Sequence, residues 1–133
     1  MQIGRPVANS VYSIHNPVGL KFLTRLRLGL SHLNEHRFKH NFQCCVNPIC
    51  SCSLAIESTI HFFLHWHHYS AIRISLLNDV KSIKGSIVDL SEISLVSLLL
   101  YGDPFLNENE NSFIVNATIK FVLESERFNG SLF

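Results

Sequence analysis

The chain has 133 residues, of which 47% are hydrophobic and only 16% are charged, and its formal net charge is +1. A chain of this length forms one domain with a modest core, and it is too short for a polymerase or a second catalytic domain. High apolar content with low charge also excludes a disordered tail and predicts a small packed module.

The N-terminal region lacks the features of a secretory signal, because residues 1–16 contain no continuous apolar run behind a basic start. The longest apolar stretch, residues 95–101, is interrupted by Ser97 and falls far below the roughly 20 residues that span a bilayer. We therefore expect an intracellular protein, nuclear or cytoplasmic and not secreted, with no membrane partner. In that setting its cysteines are expected to be thiols or metal ligands rather than disulfides. They are Cys44, Cys45, Cys50 and Cys52.

The first predicted helix covers residues 17–34. Asn16 and Pro17 form a typical helix start, with Asn as the N-cap and Pro at the first helical position. Leucines at positions 23, 26, 30 and 33 then recur at helical spacing and mark a buried stripe. Gly29 is a weak point that costs about 1 kcal/mol relative to Ala. The preceding residues 1–15 are expected to form an extended segment, with a short strand-like piece at 11–14.

The next region is predicted to be a loop followed by a second helix. Residues 37–56 carry all four cysteines and show little periodicity. They are therefore expected to form a loop that needs a metal ion or another cross-link to hold its shape. The second helix is expected to begin near Glu57 and to carry His61 and His65.

Three further helices are predicted in the C-terminal half. One follows Ser70 and ends at Gly85, and a second starts at a capping box formed by Asp89 and Glu92 and ends at residue 101. After a polar loop at 107–111, residues 112–126 form the last amphipathic helix. Residues 16–133 are thus expected to be a single helical domain. Its fold class is all-α, with about four to five helices and an irregular Cys-rich loop that could be a zinc knuckle.

The pattern with the clearest chemistry is Cys50-Ser51-Cys52 followed by His61. A structural zinc ion takes four tetrahedral N or S ligands, usually two from a cysteine turn and two from a neighbouring helix. If residues 57–66 are helical, His61 and His65 form an i, i+4 pair on one face and can share one metal.

The predicted zinc site is therefore Cys50, Cys52, His61 and His65. His67 and His68 are further candidates that are less well placed. Two alternatives stay open: a weak three-ligand site, and no metal at all, with free thiols and a packed Trp66.

A basic segment at residues 21–40 predicts contact with nucleic acid. Five basic residues there face only one acidic residue, Glu35, which gives a net charge of +4. The candidate phosphate-binding residues are Lys21, Arg25, Arg27, Arg37 and Lys39. Such contacts would give salt-sensitive, largely sequence-independent affinity for RNA or DNA. The alternative is an ordinary solvated helix face whose long basic side chains cover apolar surface.

These residues resemble a known family. The resemblance rests on Cys50-x-Cys52, on Glu57-x-Thr59-x-His61-Phe62-x-Leu64-His65, and on the basic stretch 22–33 that precedes them. This pattern is similar to the C-terminal zinc-binding region of non-LTR retrotransposon reverse transcriptases. The similarity runs from about residue 11 to residue 128. The family pattern ends His-x4-Cys, and Trp66 stands at that last position.

The resemblance implies a retrotransposon-derived, non-catalytic module, a truncated copy of a reverse transcriptase region that binds zinc and holds RNA or DNA near the polymerase. No carboxylate is placed to act as a general base, and Pro104 follows Asp103 where a polymerase would have its second aspartate. We therefore do not expect an enzyme. A second hypothesis, of a different functional class, is a protein-interaction module in which the apolar helices from Ile72 onward bind a partner or self-associate. A third hypothesis is a decayed copy that binds neither metal nor nucleic acid.

Overall fold

The computed structural model describes residues 16–40 and 47–129, and over these residues the fold is all-α, as predicted. The strand-like piece expected at 11–14, the extended segment 1–15, Cys44 and Cys45 lie outside the described residues. A π-helical turn, His61–His65, and a 3-10 turn, His67–Tyr69, precede the third α-helix. The α-helices of the described residues are α1 (Pro17–Leu28), α2 (Asn34–Lys39), α3 (Ser70–Lys84), α4 (Glu92–Tyr101) and α5 (Glu108–Ser125).

Helix α1 begins as predicted but ends six residues early. The Asn16 side chain accepts a hydrogen bond from the Gly19 amide at 2.8 Å, which caps the helix. At Gly29 the backbone is left-handed, with φ +71°, so this glycine ends the helix instead of weakening its middle. The prediction of one helix over 17–34 is therefore wrong in extent. Leu33 still reaches the core, because the chain turns back after Gly29.

The region predicted as a loop, residues 37–56, is more regular than expected. Helix α2 extends into it as far as Lys39, and Ile49 and Ile56 form an isolated antiparallel bridge. The Cys50 amide donates to the Ala55 carbonyl at 2.8 Å, and the Glu57 amide donates to the Pro48 carbonyl at 2.8 Å. The cysteine pair therefore lies in a tight turn whose two arms are joined by backbone hydrogen bonds.

Helices α3 and α4 lie close to their predicted positions. Helix α3 covers Ser70–Lys84 and ends at the C-cap residue Gly85, as expected from the sequence. Helix α4 is capped by Ser91, whose hydroxyl accepts from the Ser94 amide at 3.1 Å. The capping box predicted at Asp89 and Glu92 is therefore not used, because Ser91 lies directly before the first helical residue and Asp89 lies too early.

Helix α5 begins four residues before the predicted start. Asn107 accepts from the Glu110 amide at 2.8 Å, and the Glu110 carboxylate accepts from the Asn107 amide at 3.0 Å. This reciprocal capping box converts most of the polar stretch predicted as a loop into the first turn of the helix.

Helix α5 is the centre of the fold, with α1, α3 and α4 packed against it. Its contact with α1 is close: a Cβ on Gly19 would lie 2.3 Å from Ile119 Cγ2. Phe121 of α5 also meets the rings of Phe62 and Phe63 at centroid distances of 5.3 and 5.4 Å. This aromatic contact fixes the π-helical turn to α5. It thereby places His61, the first residue of that turn, beside the cysteine turn. None of the described helices combines the length and apolar character needed to cross a membrane.

Candidate metal centre

The cysteine turn is shaped for two sulfur ligands. The Ser53 amide donates to the Cys50 carbonyl at 2.9 Å, and Ser53 itself has a left-handed backbone with φ +66°. The Cys52 amide points at the Cys50 sulfur, with N and Sγ 3.4 Å apart. An amide aimed at a thiol stabilises the negative charge that the thiolate form would carry. The turn therefore brings the two cysteine sulfur atoms close together.

The π-helical turn brings His61 to the cysteines. Its amide donates to the Ser58 hydroxyl at 3.1 Å, and its carbonyl accepts from the Trp66 amide at 2.8 Å, five residues on. The His61 ring is buried, and its Nε2 lies 3.3 Å from Cys52 Sγ. One donor atom from each of Cys50, Cys52 and His61 lies within 4.8 Å of the other two. This Cys–His cluster (Cys50, Cys52 and His61) could hold a metal ion.

His65 does not join the Cys–His cluster, although the sequence placed it there. Its Nε2 forms an ion pair with the Glu92 carboxylate, and about half of each side chain is exposed. The predicted i, i+4 pairing assumed an α-helix, whereas in a π-helical turn the hydrogen bond joins i and i+5. The residue that lies over His61 is accordingly Trp66, with ring centroids 5.9 Å apart and planes 24° from parallel. Trp66 therefore fixes the ring orientation of His61.

Burial shifts the pKa values of two members of the cluster, Cys50 and His61. It raises the pKa of the Cys50 thiol to about 11, so this group is a neutral thiol at pH 7 in the metal-free protein. Burial, followed by the nearby His65, lowers the pKa of His61 below its ordinary value. Neutral imidazole is the form that binds metal, while the Cys50 thiol would release its proton on binding.

Glu57, which the resemblance singled out, has a structural contact that the sequence did not reveal. Its carboxylate is 1% exposed and accepts two hydrogen bonds from Arg127, from Nε at 2.6 Å and from Nη2 at 2.7 Å. It also accepts from the Asn34 amide at 2.7 Å. Arg127 lies 70 residues away, and no local pattern predicts such a pair. A carboxylate bound in this way is unavailable as a general base.

The predicted nucleic-acid residues fall into two groups. Arg27 is engaged inside the protein, since its Nε donates to the Leu100 carbonyl at 2.6 Å and its guanidinium lies 5.1 Å from the Tyr101 ring centre. Lys21 and Lys39 are exposed, and Arg25 and Arg37 are half-buried. Lys21 and Arg25 lie four residues apart on one face of α1. The contacts of Arg27 therefore belong to the fold.

A cavity of about 750 Å³ borders the Cys–His cluster. Cys52 lines it from the cysteine turn, and Trp66, His67 and His68 line it from the other side. Glu57 and Arg127 form a further part of its wall. We call this space the histidine cavity.

No protein-family model, curated protein or solved structure matches the chain.

Proposed function

We propose that the protein is a non-catalytic module in which Cys50, Cys52 and His61 hold a structural zinc ion. The observation that carries this proposal is the convergence of two sulfur donors and one imidazole nitrogen within 4.8 Å. Mixed sulfur and nitrogen donors are the ligands that zinc prefers. In this role the metal ties the cysteine turn to the π-helical turn.

A structural role is favoured over a catalytic one by the state of Glu57. Hydrolysis at zinc needs a base that activates water, and Glu57, the carboxylate nearest in sequence to His61, is held by Arg127 and the Asn34 amide. The resemblance to the reverse transcriptase zinc-binding region supports the same assignment. We propose on that ground a retrotransposon-derived, intracellular module.

Metal analysis of the purified protein tests the proposal. The parent protein is expected to contain one zinc ion per chain, and both Cys50→Ser and His61→Ala are expected to lose it. His65→Ala is the matched control: it removes an imidazole from the same turn, but one that pairs with Glu92. Zinc that persists in both cluster variants, or a parent protein that takes up no zinc, would refute the assignment.

Nucleic-acid binding is the second part of the proposed role. Lys21 and Lys39 are exposed and Arg25 is partly so, so three of the predicted basic residues can reach phosphates. This set would bind RNA or DNA through charge alone, with strong salt dependence.

A protein-interaction module is the other candidate function, and exposed apolar side chains favour it. Val88, Ile93 and Phe105 are 85%, 73% and 94% exposed. Large apolar side chains left in water favour association. Sedimentation of the parent protein and of Ile93→Glu tests this function: concentration-dependent association that the variant abolishes supports it, and a parent protein that is monomeric and captures no partner opposes it.

A further inference from the structure

The Cys–His cluster supplies three ligands, and a structural zinc ion takes four. Neither His65, the fourth ligand predicted from the sequence, nor Trp66, at the position of the family's cysteine, supplies the fourth ligand. His65 is paired with Glu92, and Trp66 has no atom that binds metal and packs against His61. The fourth ligand must therefore come from another direction.

The residues that line the histidine cavity are the candidates for this fourth ligand. Cys52 is the member of the cluster that borders the cavity, and His67 and His68 border it as well. The two histidines differ in the contacts that hold their side chains. The His68 ring packs edge-on against Tyr69 with centroids 5.0 Å apart, whereas within residues 16–40 and 47–129 no hydrogen bond, ion pair or ring contact holds the exposed His67 ring.

The backbone that carries His67 is fixed on both sides. Arg73 Nη2 donates to the Trp66 carbonyl at 2.6 Å, and the Ser70 hydroxyl donates to the His67 carbonyl at 2.7 Å. Side-chain rotation is therefore the motion left to His67. Rotation of one exposed side chain costs little compared with moving a backbone segment.

We propose that His67 completes the metal site from the histidine cavity, giving a Cys₂His₂ ligand set made of Cys50, Cys52, His61 and His67. This inference rests on the proposed zinc-binding function and names a ligand that the family pattern does not contain. Four N and S ligands form the closed tetrahedral set typical of structural zinc.

Three single variants of the full chain test the ligand: His67→Ala, His65→Ala and His68→Ala. Zinc affinity is measured by competition with a chromophoric chelator, and Co²⁺ is used as a spectroscopic substitute whose visible absorption reports the ligand set. His67→Ala is expected to weaken zinc binding by at least about tenfold, since even the loss of a hydrogen-bond partner of a ligand costs about 10–100-fold. Its Co²⁺ absorption should change, whereas His65→Ala and His68→Ala should match the parent.

Free imidazole provides a rescue experiment. The histidine cavity is large enough to admit it, so millimolar imidazole should restore the parent Co²⁺ absorption in His67→Ala and should leave the controls unchanged. Circular dichroism of each variant verifies the fold. A parent protein that binds zinc and Co²⁺ while His67→Ala binds both equally well would overturn this inference alone. A parent protein that binds neither ion would overturn the proposed function and the inference with it.

Discussion

Glu57 and Arg127 form a doubly hydrogen-bonded ion pair across 70 residues of sequence. Arg127 Nη2 also donates to the His32 carbonyl at 2.9 Å. One guanidinium therefore joins the segment before α2, the strand-like arm after the cysteine turn, and the end of α5.

Breaking this ion pair should be costly. We expect Arg127→Met to lower the free energy of unfolding by about 3–5 kcal/mol, because it leaves the Glu57 carboxylate buried without its charged partner. Urea unfolding of the purified protein measures the change. Arg25→Met is the matched control on a half-exposed position, with an expected change within about 0.5 kcal/mol.

A double variant isolates the pair itself. Glu57→Gln together with Arg127→Met should be less destabilised than the sum of the two single variants, since the second change removes the unpaired charge that the first leaves. Strictly additive losses would show that the two side chains are not coupled.

Trp66 stands where the resembling family has a cysteine, and its replacement separates packing from metal binding. Trp66→Cys should lower the stability of the metal-free protein by about 3–5 kcal/mol, because a large buried ring is lost. The π-helical turn places position 66 over His61. A thiolate at this position should therefore restore zinc binding in the His67→Ala background.

Chemical denaturation with and without zinc measures both effects of the Trp66 substitution. Trp66→Phe is the control, since it keeps an aromatic ring over His61 and adds no ligand. A Trp66→Cys, His67→Ala protein that folds and still binds no zinc would show that position 66 cannot supply a metal ligand.

The basic residues of α1 should separate into a nucleic-acid contact and a structural contact. For Lys21→Ala with Arg25→Ala we expect weaker binding to many RNA or DNA sequences alike, with a salt slope shallower by about one for each lost phosphate contact. Arg27→Ala should instead lose about 1.5–3 kcal/mol of stability, as its hydrogen bond to the Leu100 carbonyl disappears. Fluorescence anisotropy over a salt series and urea unfolding provide the two readouts. Equal effects of all three substitutions on binding would contradict this division.

Asp103 should give the protein a measurable acid dependence. Its pKa is held below the usual range, first by the hydrogen bond from Lys84 and then by one from the Phe105 amide. A carboxyl group whose folded pKa is depressed adds stability above its unfolded pKa, roughly 3.9, and loses it as the pH falls through the lower folded value.

Removing Lys84 should reveal this dependence. Lys84→Met should be less stable than the parent at pH 6, and the difference should shrink as the pH falls below about 4 and through the depressed folded pKa of Asp103 in the parent. Urea unfolding at several pH values gives the comparison. The matched control is Lys81→Met on the same helix, and a parent–Lys84→Met difference that stays constant from pH 6 to pH 3 would argue against the pair.

Much of the helical framework was predictable because its signals are local. The Asn16-Pro17 start, Gly85 and the apolar spacing of α3 are readable within a few residues, and each matches the structure. The end of α1 was misjudged because the leucine spacing continues to Leu33, while Gly29 acts through its left-handed backbone. Periodicity alone does not reveal that the chain turns there.

The candidate site was predictable in part for the same reason. Cys50, Cys52 and His61 are close in sequence and converge in space. His65 was assigned by α-helical spacing, and the π-helical turn instead places Trp66 over His61. The Arg127 contact depends on how α5 packs against the rest of the chain, which no local pattern encodes.

The position of Phe128 also bears on how the protein is made in the cell. Its ring packs against Phe22 and Phe62 with centroids 5.7 and 5.3 Å apart. During translation at about 5–20 residues per second, α1 would leave the ribosome roughly 5–20 s before this ring is available. Until then the apolar faces of the earlier helices lack the surface that covers them. The core can therefore close only after residue 128 has left the ribosome.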